Sequence, residues 1–209
     1  MSEDSPNTKR PIPPVPRALT GFVLVFMSLT SIAAFNQGNT EFLMYSGTLL
    51  VIIYILVQLH RMVCFTRTAL WLLTIWGFLH MIGGTVPVSP AFVPGEGSAV
   101  LYSFRLRPDL PRYDQIIHAF GFFGATVACW EIVRVVLKAK QGMALSIIAV
   151  LMGLGLGALN EVVEFIASQL TETNVGGYVN TGWDLVSNTI GAVCAGIWCL
   201  TRRMESRAL

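Results

Sequence analysis

Charge is what this sequence has least of. Asp, Glu, Lys and Arg make up only 12% of the 209 residues, against about 25% in a soluble domain. So few charges leave the surface of a soluble globule of this size uncovered. With 54% apolar residues, the low charge also excludes disorder, which needs low hydrophobicity and high charge. The net charge of +2 is too small for a nucleic-acid footprint. Proline is missing from long stretches. All ten lie in the N-terminal tail or between positions 87 and 111, so none breaks a helix elsewhere. The four cysteines, Cys64, Cys129, Cys194 and Cys199, show no Cys-x-x-Cys spacing. They read as small apolar packing residues rather than ligands or disulfides.

What is present is a series of uncharged runs. Between Ala18 and Leu59 the only formal charge is Glu41, and none occurs over 68–95, 141–160 or 185–201. A helix needs about 20 apolar residues to cross the hydrocarbon core, and a chain in lipid must pair its own backbone groups. The expected fold is therefore all-α, a polytopic membrane protein of six transmembrane helices. The spans fall at about 18–36, 42–59, 68–86, 113–138, 142–169 and 181–201. Residues 1–17 form a proline-rich tail, 87–111 the one long loop, and 202–209 a C-terminal tail. Residues 100–104 read as a short strand or an interfacial segment. Ser31-Ile32-Ala33 resembles a signal cleavage site, but the polar 17-residue lead argues against cleavage.

All but Arg105, Arg107 and Arg112 of the 14 cations lie in the tails, beside span ends 2 and 3, or around the connection between spans 4 and 5. The positive-inside rule then makes both termini cytoplasmic. The lipid bilayer is the constant partner.

Ionisable groups at the centre of a membrane helix cost about 2.5–3.5 kcal/mol each on insertion scales. Here they agree in depth. His80 is late in span 3, Asp114 and His118 early in span 4, Glu161 and Glu164 late in span 5, and Asp184 and Asn188 early in span 6. Because neighbouring spans alternate in direction, all stand in the same third of the membrane, the outer one on this topology. They also share helix faces with small residues. Asp114 and His118 are about 40° apart, Asn160, Glu161 and Glu164 share an arc with Gly153 and Gly157, and Asp184 and Asn188 share a stripe with Gly191 and Ala195. Small residues mark packing faces in membranes, so the polar groups are expected to converge inside the bundle. Glu131, near the other end of span 4, reads as an ion-pair partner of Arg134 or a snorkelling side chain.

Imidazoles and carboxylates together suit zinc, manganese or non-haem iron. The candidate metal ligands are His80, His118, Glu161 and Asp184. Asp114 is placed to orient an imidazole, Glu164 to serve as a base, and Asn160 and Asn188 complete the polar set. The most direct function is a metal-dependent hydrolase acting on a lipid or other envelope substrate. The alternatives are an ion or small-solute carrier, and a structural protein whose polar cluster only locks the helices.

The segments 78–84 (FLHMIGG), 112–118 (RYDQIIH), 160–165 (NEVVEF) and 183–188 (WDLVSN) together resemble the YjdF family of bacterial inner-membrane proteins of unassigned function. The part from span 4 to span 6 is more distantly similar to VanZ-type proteins, which are associated with glycopeptide resistance at the cell envelope. The resemblance implies a multi-pass fold and location in a bacterial cytoplasmic (inner) membrane, and carries no reaction with it.

Overall fold

The computed structural model describes residues 14–93, 99–171 and 177–202. Most of the N-terminal tail, the middle of the long loop, residues 172–176 and the end of the C-terminal tail lie outside these, as do Lys9, Arg10, Arg203 and Arg207 of the charge argument. Six helices account for most of the rest: α1 (Arg17–Asn36), α2 (Thr40–Val63), α3 (Arg67–Thr85), α4 (Tyr113–Val136), α5 (Met143–Leu170) and α6 (Tyr178–Thr201). Each is long and apolar enough to cross a membrane.

Polar residues mark the helix ends. Asn39 accepts the Phe42 N–H at 3.1 Å and opens α2. Thr66 accepts the Ala69 N–H at 3.2 Å and opens α3. The Gln115 side chain reaches back to the Arg112 N–H at 2.9 Å and opens α4. These contacts satisfy donors that the first turn of a helix leaves free. Cys64 stops α2 in a left-handed conformation, with φ at 53°.

The long loop folds back on the bundle, at what is here called the loop end. Residues 100–104 do not form a strand. Pro87 and Val100 make one antiparallel bridge, and Leu101–Ser103 is a single 3-10 turn.

α4 is the axis of the bundle. It packs on α5 and α6 on one side and on α3 on the other, while α1 and α2 cover α3. The close approach of α4 to α6 needs Gly191. A Cβ there would strike the backbone carbonyl of Ala119, and backbone has no rotamer to yield. Gly153 makes room for the Thr126 hydroxyl in the same way. Lipid-facing positions such as Leu24, Leu29, Val51, Leu151 and Ile197 are exposed, as a membrane protein needs.

The end away from the loop holds one surprise. Glu131 is buried at 5% exposure rather than reaching into the interface. Its carboxylate accepts the Thr66 N–H at 2.8 Å and the Thr66 hydroxyl at 2.5 Å. It thus ties α4 to the first turn of α3, a distant partner that local helix spacing does not reveal.

Replacing Gly191 by Ala is expected to destabilise the protein by about 1–3 kcal/mol through overpacking. Gly155→Ala, which meets nothing within 4 Å, serves as the control. Thermal unfolding in detergent of the two variants beside the unmodified protein checks both.

Candidate functional site

His118 stands at the centre of the polar groups. Its position follows from the start of α4 at Tyr113, which places Asp114 and His118 one turn apart in the first two turns. The imidazole is buried at 4% exposure and faces three carboxylates. Nε2 lies 3.3 Å from Asp114 Oδ1 and 3.5 Å from Glu164 Oε1. Nδ1 lies 3.4 Å from Glu161 Oε1 and 3.1 Å from Asn188 Oδ1.

Asn188 fixes the roles of the two ring nitrogens. Its amide nitrogen donates to Glu161 Oε1 at 3.2 Å, so its carbonyl oxygen turns to His118. An oxygen there accepts, so Nδ1 carries a proton. Nε2 is then the nitrogen left facing Asp114 and Glu164. This is the arrangement that orients a metal-binding imidazole.

A second asparagine binds the other wall. Asn180 donates to Asp184 Oδ2 at 2.6 Å and to Asp114 Oδ2 at 3.2 Å. Its own oxygen accepts from Arg112 Nη1 at 3.2 Å. Asn160 donates to Glu164 Oε1 at 2.7 Å. Three carboxylate oxygens, Asp114 Oδ1, Glu161 Oε2 and Asp184 Oδ1, are buried with no hydrogen-bond partner among the described residues. Asp114, His118 and Asp184 present ligand atoms within 4.8 Å of one another, and so do His118, Glu161 and Glu164.

The structure thus brings together Asp114, His118, Asn160, Glu161, Glu164, Asp184 and Asn188. His80 is elsewhere. It sits among the rings of Phe42, Tyr45, Trp76 and Tyr102 and belongs to neither ligand-capable group. The Tyr102 hydroxyl, carried down by the loop, hydrogen-bonds His80 Nδ1. Burial pushes this phenol well above its usual range, so it stays protonated and donates.

His80 and Glu164 nevertheless share a space. A small open cleft is lined by Tyr45, Thr48, Leu49 and Ile52 of α2, Trp76 and His80 of α3, and Asn160, Val163 and Glu164 of α5. Glu164 therefore belongs both to the cluster and to the cleft wall.

Sequence reasoning missed Asn180, Arg112 and Tyr102. Asn180 had a signal, because it lies one turn before Asp184 on the stripe that continues to Asn188. Starting span 6 at 181 cut it off. Tyr102 had none, since nothing local says that a loop tyrosine descends onto His80.

Replacing Asn180 by Ala is expected to cost about 1–3 kcal/mol, the penalty for leaving buried acceptors without a donor. Thermal unfolding in detergent measures it, and an unchanged midpoint would contradict this arrangement.

Against known families, the chain matches the model described as "Predicted membrane protein (DUF2238)" over residues 15–205. The YjdF-type resemblance is consistent with this match, while the VanZ-like one gains no support from it. No curated protein and no solved structure matches the chain. With nearly its whole length covered and its six membrane-length helices, the chain belongs to the DUF2238 family of predicted membrane proteins.

Proposed function

We propose that the His118 cluster binds a divalent cation and that the protein is a metal-dependent hydrolase of a lipid or lipid-linked envelope substrate. The observation that carries this reading is the pair of orphaned oxygens, Asp114 Oδ1 and Asp184 Oδ1, on two of the three residues, Asp114, His118 and Asp184, that present ligand atoms within 4.8 Å of one another. Buried carboxylates without partners are costly. A cation among them supplies both the charge and the missing bonds. The N/O donor set suits zinc, manganese or iron.

In this reading His118 Nε2, Asp114 and Asp184 hold the ion. Glu161, tied through Asn188 to Nδ1, orients the imidazole from behind. Glu164 faces the cleft and is the base. It takes a proton from a water, the hydroxyl adds to the substrate's electrophilic centre, and the same proton goes to the leaving oxygen. His80 stands across the cleft, positioned by Tyr102, to meet the substrate rather than the ion. The cation bias supports an outward-facing site, and the YjdF-type resemblance supports a bacterial cytoplasmic membrane.

One observation favours a carrier instead. Toward the end away from the loop, Thr126 Oγ1, Ser146 Oγ and Trp130 Nε1 are buried without a hydrogen-bond partner among the described residues. They lead along α4 and α5 toward Glu131. A carrier predicts ion uptake into proteoliposomes along this line, and a hydrolase predicts none.

Elemental analysis of the detergent-purified protein tests the cation site. Near-stoichiometric transition metal is expected, and His118→Ala should remove it from a folded protein. Asn188→Ala should weaken metal affinity about 10–100-fold, as loss of a group that orients a ligand does. Metal-free protein after reconstitution with zinc, manganese and iron would overturn the reading.

A further inference from the structure

The cleft has an open side. At the loop end α2 and α5 are joined, because Thr40 Oγ1 and Thr171 Oγ1 lie 2.6 Å apart and Ala167 packs with Phe42 and Tyr45. Below that seam the cleft separates them. The two helices run in opposite directions at a rise of about 1.5 Å per residue. Thr48 and Ile52 therefore lie about 12–18 Å below Thr40, and Glu164 about 10 Å below Thr171. The residues flanking the cleft on one side are Met44, Val51 and Ile55 of α2, and Leu159, Val162 and Ile166 of α5. All six are exposed and apolar. The mouth thus opens sideways, at a level where the surroundings are hydrocarbon.

We propose that a membrane lipid enters this cleft laterally between α2 and α5, and that the bond it presents to Glu164 is the carboxylic ester at the head of an acyl chain, not its phosphate. Depth is the first argument. The hydrocarbon core of a bilayer is about 30 Å thick, with a further 5–8 Å of head groups on each side. A group about 10 Å below the helix ends meets the ester-linked glycerol and the chain beneath it. The phosphate stays above the Thr40–Thr171 seam. Charge is the second argument. Glu164 is on the cleft wall, with Asp114, Glu161 and Asp184 behind it. Even with a divalent cation in place four carboxylates leave a net negative charge, so an anionic phosphate is disfavoured beside Glu164 where a neutral ester is not. The walls agree with both. Leu49, Ile52 and Val163 suit a chain, while Thr48, Asn160 and Glu164 supply polar groups on one side.

The docking stands on the cleft alone, and the assignment of the scissile bond rests on the hydrolase reading above. In that step water adds across the ester. Its hydroxyl goes to the acyl carbon, the acyl carbon–oxygen bond breaks, and the proton passes through Glu164 to the glycerol oxygen. A fatty acid and an alcohol leave, and no oxidant or reductant is needed.

Photo-crosslinking of the full chain in nanodiscs tests the inference. Two phosphatidylethanolamine probes carry a diazirine, one on the head group and one on the upper acyl chain. The upper-chain probe is expected to label Thr48, Val163 and Glu164 above the lipid-facing reference Ile197. The head-group probe is expected to label the Thr40 and Thr171 region. Thr48→Trp should fill the cleft and abolish cleft labelling, without changing metal content. Head-group labelling of Glu164, or upper-chain labelling of the cleft no greater than that of Ile197, would overturn the proposal. Loss of the cation site would show in elemental analysis instead, so the two failures are separable.

Discussion

One imidazole among four carboxylates sets the terms for the rest of the molecule. The carboxylates of Asp114, Glu161, Glu164 and Asp184 come from three helices, and His118 is the group within reach of Asp114, Glu161 and Glu164 at once. In a soluble protein, water would share the load of so much negative charge. Inside a bundle facing lipid, every lone pair has to find a donor or a cation within the protein. Asn160, Asn180 and Asn188 are the protein's answer to part of that demand. Asn160 and Asn180 each sit one turn from a carboxylate of their own helix, Asn188 reaches from α6 to Glu161 of α5, and each spends its amide on a carboxylate. The oxygens they do not reach are the physical reason for reading the cluster as a cation site.

The packing of the helices follows from the same need. α4, α5 and α6 must approach closely for Asn188 to touch both His118 and Glu161, and glycine at 153, 157 and 191 permits that approach. A Cβ at 157 would stand 3.2 Å from Asn188, so the small residues and the polar residues of one face form one device. The α2 side is built otherwise. There aromatic rings and apolar side chains surround His80, and the helices part below their seam to leave the cleft. A tight polar half and a looser aromatic half meet at Glu164.

Much of this was readable from residue order. Gaps in formal charge and the confinement of proline to two segments mark six helices, because lipid tolerates neither charges nor unpaired backbone. The shared depth of Asp114, His118, Glu161, Glu164, Asp184 and Asn188, each beside a glycine or alanine, points to a common interior. His80 shares that depth and still stands apart, since depth fixes a residue's level and not which neighbour its helix turns it toward. The grip of Glu131 on Thr66 and the descent of Tyr102 onto His80 are contacts between segments distant in sequence. Local periodicity carries no information about them. The cleft was equally invisible, because it exists where two helices fail to meet.

The most direct test of the central claim is anomalous diffraction from crystals of the protein soaked with zinc or manganese. The account predicts one strong peak inside the bundle, bonded to His118 Nε2 at about 2.0–2.2 Å for zinc and in contact with Asp114 and Asp184. Peaks confined to the surface, with His118 still held only by its carboxylate and amide neighbours, would contradict it and leave the cluster as a hydrogen-bonded brace between α4, α5 and α6.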